Sequence, residues 1–222
     1  MRYVPPFAAL KTWMVRHAAA DNARLAPAYD DILDVLKRFL EAVPVDEDWY
    51  KAEYPAIGSF VERTLTETAA SHFHKHGYFE GRKPFAPGWR GLTEPVPFAQ
   101  CYARLRIVPT NGRLRVDIAR GDFLGLIRNI LIAVPVDDPW YCTNYSMVAK
   151  EIDNGTYSSA AEHYAERGYF DGCLPFDIIV DEEWYVSRYA HVKTGLERGV
   201  ATSVRDHFMR VGYNEGCRPA PP

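Results

Sequence analysis

The chain has no apolar run long enough to cross a bilayer. Its most hydrophobic stretch, Phe123 to Val136, is short and is interrupted by Arg128 and Asn129. A secretory leader is not expected either, because Pro5-Pro6 and Lys11 break the apolar run that follows Met1-Arg2. No CxxC pair occurs among the four cysteines, Cys101, Cys142, Cys173 and Cys217. That spacing predicts reduced thiols in a cytoplasmic protein, outside the paired-cysteine metal motifs. Positive charge is not in excess: the formal net charge is −3, which argues against nucleic-acid binding through bulk charge. Nucleophile elbow, P-loop, dinucleotide fingerprint and zinc-protease signature are all missing, so neither a cofactor nor a catalytic residue is predicted. What remains is an ordinary globular composition, with 222 residues, 47% hydrophobic and 25% charged. It fits one large or two small domains and excludes global disorder.

Against this plain background one pattern recurs three times. Trp-Tyr occurs at Trp49-Tyr50, Trp140-Tyr141 and Trp184-Tyr185. Three residues before each Trp stands an acid, Asp46, Asp137 or Asp181, and twenty-three after it a histidine, His72, His163 or His207. Each histidine precedes an aromatic, Phe73, Tyr164 or Phe208. Next come Gly77-Tyr78, Gly168-Tyr169 or Gly212-Tyr213, an acid with Gly81, Gly172 or Gly216, and finally Pro84, Pro175 or Pro219. The offsets are the same in all three copies, without gaps, which is the signature of an internal repeat. The first two copies share a leading segment as well: 35–40 aligns with 126–131, and Ala42-Val43-Pro44 with Ala133-Val134-Pro135.

Each copy reads as two helices. The leading Asp suits an N-cap and the acids after it suit the positive end of the helix dipole. Tyr50, Tyr54 and Ile57 then form one inward stripe at helical spacing. Ser158 or Thr202 is the predicted cap of the second helix. Gly77, Gly168 or Gly212 is its predicted C′ residue, where a left-handed conformation ends a helix. A single unit has too few apolar residues to bury both helices, so units should pack on one another.

Between the first two copies, Leu105 and Ile107 alternate with Arg104 and Arg106, and Leu114, Val116 and Ile118 with Arg113, Arg115 and Asp117. Asn111-Gly112 between them predicts a two-stranded hairpin with one arginine-rich face. From Tyr102 to Arg128 there are six Arg and two Asp. The expected fold is therefore mainly α, with three tandem helix-turn-helix pseudo-repeats and one β-hairpin insertion. Its units are 1–44 (N-terminal helices, the first from Phe7 to about Ala20 and the second from about Tyr29 to Glu41), 45–85 (first repeat), 86–121 (connector and hairpin), 122–176 (second repeat with its leading helix) and 177–222 (third repeat and Pro-rich tail).

The repeat histidines lie on apolar stripes, so the expectation is a buried His bonded inside its own unit. A catalytic role would not need three copies at one spacing. His72, His74 and His76 form HxHxH but lack a clear third ligand, and no metal site is predicted. Cys173 and Cys217 stand where the first copy has Arg82, which predicts a partly exposed position and not a ligand. The candidate ligand-binding residues are Arg104, Arg106, Arg113 and Arg115, since Arg forks match carboxylates and phosphates. An acidic glycan or acidic protein surface fits them better than nucleic acid, because no aromatic stacking platform accompanies them. A free hairpin edge would also permit a homo-oligomer.

The run His163-Tyr164-Ala165-Glu166-Arg167-Gly168-Tyr169-Phe170-Asp171-Gly172-Cys173-Leu174-Pro175 resembles a bacterial repeat module of the form WYxxxY…HY/FxxxGxxEGRxP. Such modules stand beside glycosyltransferase domains in proteins of surface-polysaccharide synthesis. The three copies cover about half the chain, and the resemblance does not reach the N-terminal helices or the arginine hairpin. Pro55-Ala56-Ile57 replaces the module's Pro-Asp-Val, and Cys173 and Cys217 replace its Arg. The resemblance implies a context of exopolysaccharide or capsule production and carries over no catalytic residue. The leading expectation is a non-catalytic binding or scaffolding protein. The alternatives are a small enzyme acting on a glycan or sugar nucleotide, with the repeat His and Asp exposed together in a cleft, and a regulatory protein binding a phosphorylated small molecule.

Overall fold

The computed structural model describes residues 3–20, 22–64 and 67–221. Met1, Arg2 and Pro222, which enter the leader and tail readings above, lie outside them. The chain is mainly helical, with one small antiparallel sheet. After α1 (Phe7–Arg16) and the short strand β1 (Arg24–Leu25) comes α2 (Tyr29–Leu40). Asp30 and Asp31 open α2 and Lys37 and Arg38 close it, matching the helix dipole. Its buried face is Ile32, Val35, Leu36, Phe39 and Leu40.

Then follow α3 (Glu47–Glu53), α4 (Pro55–Arg63), α5 (Ala69–His72) with a π-helical turn at Phe73–Gly77, and the short α6 (Phe98–Tyr102). Strands β2 (Arg106–Thr110) and β3 (Arg113–Ala119) lead into α7 (Arg120–Leu131). Helix α7 buries Phe123, Leu126, Ile127, Ile130 and Leu131 and packs against α2. Next come α8 (Asp138–Asn144), α9 (Ser146–Asp153) and α10 (Ala160–His163) with its π-turn at Tyr164–Gly168. The last group is α11 (Glu182–Arg188), α12 (Ala190–Glu197) and α13 (Val204–His207) with its π-turn at Phe208–Gly212.

The structure corrects the expected units in four respects. First, each copy has three helical segments, not two. The stripe Tyr50–Tyr54–Ile57 is cut at Tyr54 (φ −122°, ψ 73°), and Tyr145 and Tyr189 adopt the same break. In the first copy the cause is plain, since Pro55 disfavours helical backbone in the residue before it. Second, the caps are one residue later than predicted. Ser159 and Ser203 accept from Glu162 and Asp206 N–H, while Ser158 and Thr202 donate to those same carboxylates. Thr68 is the corresponding cap in the first copy.

Third, Gly77, Gly168 and Gly212 are not C′ residues. The C′ residues are Gly81, Gly172 and Gly216, with φ of 80°, 85° and 82°. Each closes a Schellman motif: Gly81 N–H donates to Tyr78 C=O and Arg82 N–H to Gly77 C=O, and the same pair of bonds recurs at 172–173 and 216–217. Fourth, the hairpin is a three-stranded sheet in the order β1-β3-β2. Arg106 pairs with Asp117 and Thr110 with Arg113, while Arg24 and Leu25 add to the other edge of β3 opposite Ala119 and Ile118. Asn111 and Gly112 take positive φ at the turn, as a two-residue hairpin loop requires. Arg104 lies before β2, outside the strand.

Two apolar cores result. The larger runs across the unit boundaries, from Val4 through both leading helices to Tyr169. The smaller gathers Leu174, Ile178, Val180, Tyr185, Val192, Val204, Phe208, Tyr213 and Cys217. Residues 3–6 tie the two together. Tyr169 OH donates to Pro5 C=O (3.0 Å), Tyr213 OH to Val4 C=O (3.1 Å) and Tyr3 OH to Cys217 C=O (3.2 Å).

Candidate functional site

The residues of the recurring motif come together inside each unit, and its Asp and His side chains are bonded there. Asp46, Asp137 and Asp181 accept from the N–H of Trp49, Trp140 and Trp184 at 3.2, 3.1 and 3.0 Å. The N–H of the same three Asp donates to Pro84, Pro175 and Pro219 C=O, which joins the two ends of each unit. His72, His163 and His207 are buried. Their Nδ1 atoms lie 3.0, 3.0 and 3.2 Å from the hydroxyls of Tyr50, Tyr141 and Tyr185. At His163 the carboxylate of Glu151, which can only accept, faces Nε2 at 3.4 Å. Nε2 therefore carries the proton and Nδ1 accepts from Tyr141. Burial pushes all three imidazoles below their ordinary value.

Gly77, Gly168 and Gly212 explain why the Tyr hydroxyls fit. A Cβ at any of them would collide with the oxygen of Tyr50, Tyr141 or Tyr185. These glycines are required by close approach and not by backbone conformation. The other two motif tyrosines bond elsewhere. Tyr54, Tyr145 and Tyr189 accept from the N–H of Lys83, Leu174 and Arg218. Tyr78 accepts from Asn129, outside its own unit.

Among the described residues the repeat His and Asp form no reactive constellation. The repeat Asp side chains cap helices, and the repeat His rings sit behind a Tyr hydroxyl. All four cysteines are free, and burial pushes every thiol up, away from the reactive thiolate. In the HxHxH stretch, His72 holds Tyr50, His74 bonds Val43 C=O through Nε2 (2.9 Å) and His76 is exposed.

The four predicted arginines do not form one face. Arg104 lines a groove of about 430 Å³ with Gln100, Arg128, Asn129 and Glu166. There Arg128 is already engaged, paired to Glu166 at 3.3 Å and stacked over Phe170. Arg106 reaches Asp117 at 3.8 Å, and Arg24 contacts the same carboxylate. Arg113 and Arg115 line a second groove of about 440 Å³ with His17, Asp31, Thr110 and Asn111. Arg115 donates to Ala26 C=O, which fixes its guanidinium against the loop before α2. Arg113 is exposed at the end of β3 and makes no ion pair among the described residues.

Sequence reasoning passed over one cluster. His191 Nε2 lies 3.7 Å from Glu215 Oε2, and Cys217 Sγ is close enough that the three ligand atoms fall within 4.8 Å of one another. Contrary to the expectation of partial exposure, Cys217 is buried. His191 occupies a position held by Ala56 and Met147 in the other copies, so the repeat pattern gave it no weight. Compared with known protein families, curated proteins and solved structures, the chain matches none.

Proposed function

We propose that the chain is a non-catalytic scaffold built from three copies of one helical module, and that it binds an acidic glycan in a bacterial polysaccharide-producing system. The observation that carries this reading is the fate of the motif's polar atoms. In all three copies His and Asp bond within the fold, so the repeat builds a frame and leaves recognition to the surface. The surface group best placed for recognition is Arg113, with Asn111 and Thr110 beside it and Arg115 held in position behind it. A guanidinium matches a uronate carboxylate bidentately, and the amide and hydroxyl can take sugar hydroxyls. An acid shares each groove, Asp31 beside Arg113 and Glu166 beside Arg104, and Arg113 is preferred for the Asn111 and Thr110 that lie with it. The proposed setting is polysaccharide assembly, by the resemblance of the motif, on its cytoplasmic side, by the scattered and unpaired cysteines.

The test is binding to a uronic-acid-rich polysaccharide and to a neutral one, with Arg113→Glu and Arg104→Glu measured separately. Saturable binding to the acidic polymer that weakens with salt and is lost in Arg113→Glu supports the reading. Loss in Arg104→Glu alone moves the site to the other groove. No binding by the folded wild-type protein overturns glycan recognition and leaves an acidic protein surface as the partner to seek.

A further inference from the structure

Among the described residues a single group of His, Cys and acidic side chains has the geometry to hold an ion: His191, Glu215 and Cys217. We infer that it is a zinc site. The argument begins with the acid that each unit carries just before its C′ glycine. In the first unit Glu80 is paired with Arg82 at 2.9 Å. In the second, Asp171 is paired with Arg167 at 3.0 Å. In the third, both arginine positions have changed, to Cys217 and Val211. Glu215 instead faces the imidazole of His191, a residue that neither other unit has at that position. A cation is thus supplied by the chain in two units; in the third it is lost, and the acid meets a new imidazole beside a cysteine that the second unit also carries as Cys173, two good ligands for a borderline-soft metal.

One pair of ligand atoms already stands near tetrahedral spacing, and all three fall within 4.8 Å of one another. Ligands at zinc distances stand about 3.3–3.6 Å apart, close to the 3.7 Å between His191 Nε2 and Glu215 Oε2. Cys217 is the fixed member. It is buried, its N–H donates to Gly212 C=O, its C=O accepts from Tyr3, and its thiol lies against the Tyr185 hydroxyl. That hydroxyl in turn meets His207 Nδ1 at 3.2 Å, giving the sulfur an ordered outer partner. His191 and Glu215 are exposed on α12 and on the turn after the π-helix, with room to close on an ion by side-chain rotation. A fourth position would face solvent and take water. Thiolate ligation excludes Mg²⁺ and Ca²⁺ as the preferred ion.

The test is titration of the whole protein with Co²⁺, followed by displacement with Zn²⁺. One equivalent of Co²⁺ is expected to give a near-ultraviolet thiolate-to-metal charge-transfer band that Zn²⁺ abolishes. The band should vanish in Cys217→Ser and persist in Cys173→Ser. His191→Ala and Glu215→Gln alter exposed side chains and leave the fold intact. Each should weaken Co²⁺ binding by at least about tenfold, the scale seen even for outer-sphere partners. Absence of the band in the wild-type protein overturns the site. So does a band that survives in Cys217→Ser, or an affinity that neither His191→Ala nor Glu215→Gln changes.

Discussion

In the helical units the motif's His rings point inward and each meets a Tyr hydroxyl, three times over. In the sheet the arginines point outward, and the most distal, Arg113, has no ion-pair partner among the described residues. The two regions use charge and hydrogen bonding for different ends. A buried Tyr–His pair fixes one packing of the unit, because either group left alone would carry an unpaired polar atom. An exposed guanidinium does little for stability and is available to a ligand.

Glycine substitution should break this contrast most sharply. Gly168→Ala drives a methyl into the Tyr141 hydroxyl and should cost about 3 kcal/mol, from overpacking plus loss of the buried hydrogen bond. Gly172→Ala meets a different penalty, left-handed backbone at φ 85°, and should cost only about 1–2 kcal/mol. Urea midpoints of the two variants check the order; equal midpoints would refute the close-approach explanation. Tyr141→Phe comes next. It leaves His163 Nδ1 without its donor and should cost about 1–3 kcal/mol by the same measurement.

The histidines sharpen the comparison through pH. Burial holds His72, His163 and His207 below their ordinary value of 6.5. As pH falls through 6.5 the unfolded chain takes up protons before the folded one does. Stability is therefore full above that value and declines below it, until the folded imidazoles themselves titrate. Nearby acids, Glu151 at His163 and Glu80 at His72, soften the decline, while Arg82 and Arg167 face the same rings and act the other way. The urea midpoint should drop from about pH 7.5 to about pH 5.5, and a flat profile would contradict neutral burial. The smallest effect belongs to the sheet. Arg113→Ala should leave the midpoint within about 0.5 kcal/mol of wild type, whereas a drop beyond that would give Arg113 a structural role.

Much of the helical content could be read from residue type and spacing. The Asp caps, the leading helix from Tyr29 and the turn at Asn111-Gly112 are local features, and local physics decides them. What could not be read depended on partners distant in sequence. Gly77 and Gly81 are both plausible helix stops, and only the position of Tyr50 assigns the first to close approach. Strand β1 is two residues long and exists because β3 offers it an edge. The separation of Arg104 from Arg113 follows from α6 and the start of β2, where the alternation of Leu105 and Arg106 resembles a strand begun two residues too early. His191, Glu215 and Cys217 meet only after α12 packs against α13.

The tie between residues 3–6 and the last unit bears on how the chain reaches its fold. Val4 C=O waits for the hydroxyl of Tyr213, 209 positions further along. Pro5 waits for Tyr169, 164 positions on. Contacts of such separation carry a large loop-closure entropy and form late. The first two units can pack around α2 and α7 with Pro5 already bonded to Tyr169, while Tyr3 and Val4 still lack Cys217 and Tyr213. Docking of the third unit then closes a contact between segments 209 residues apart, and this closure is expected to be the slowest folding step.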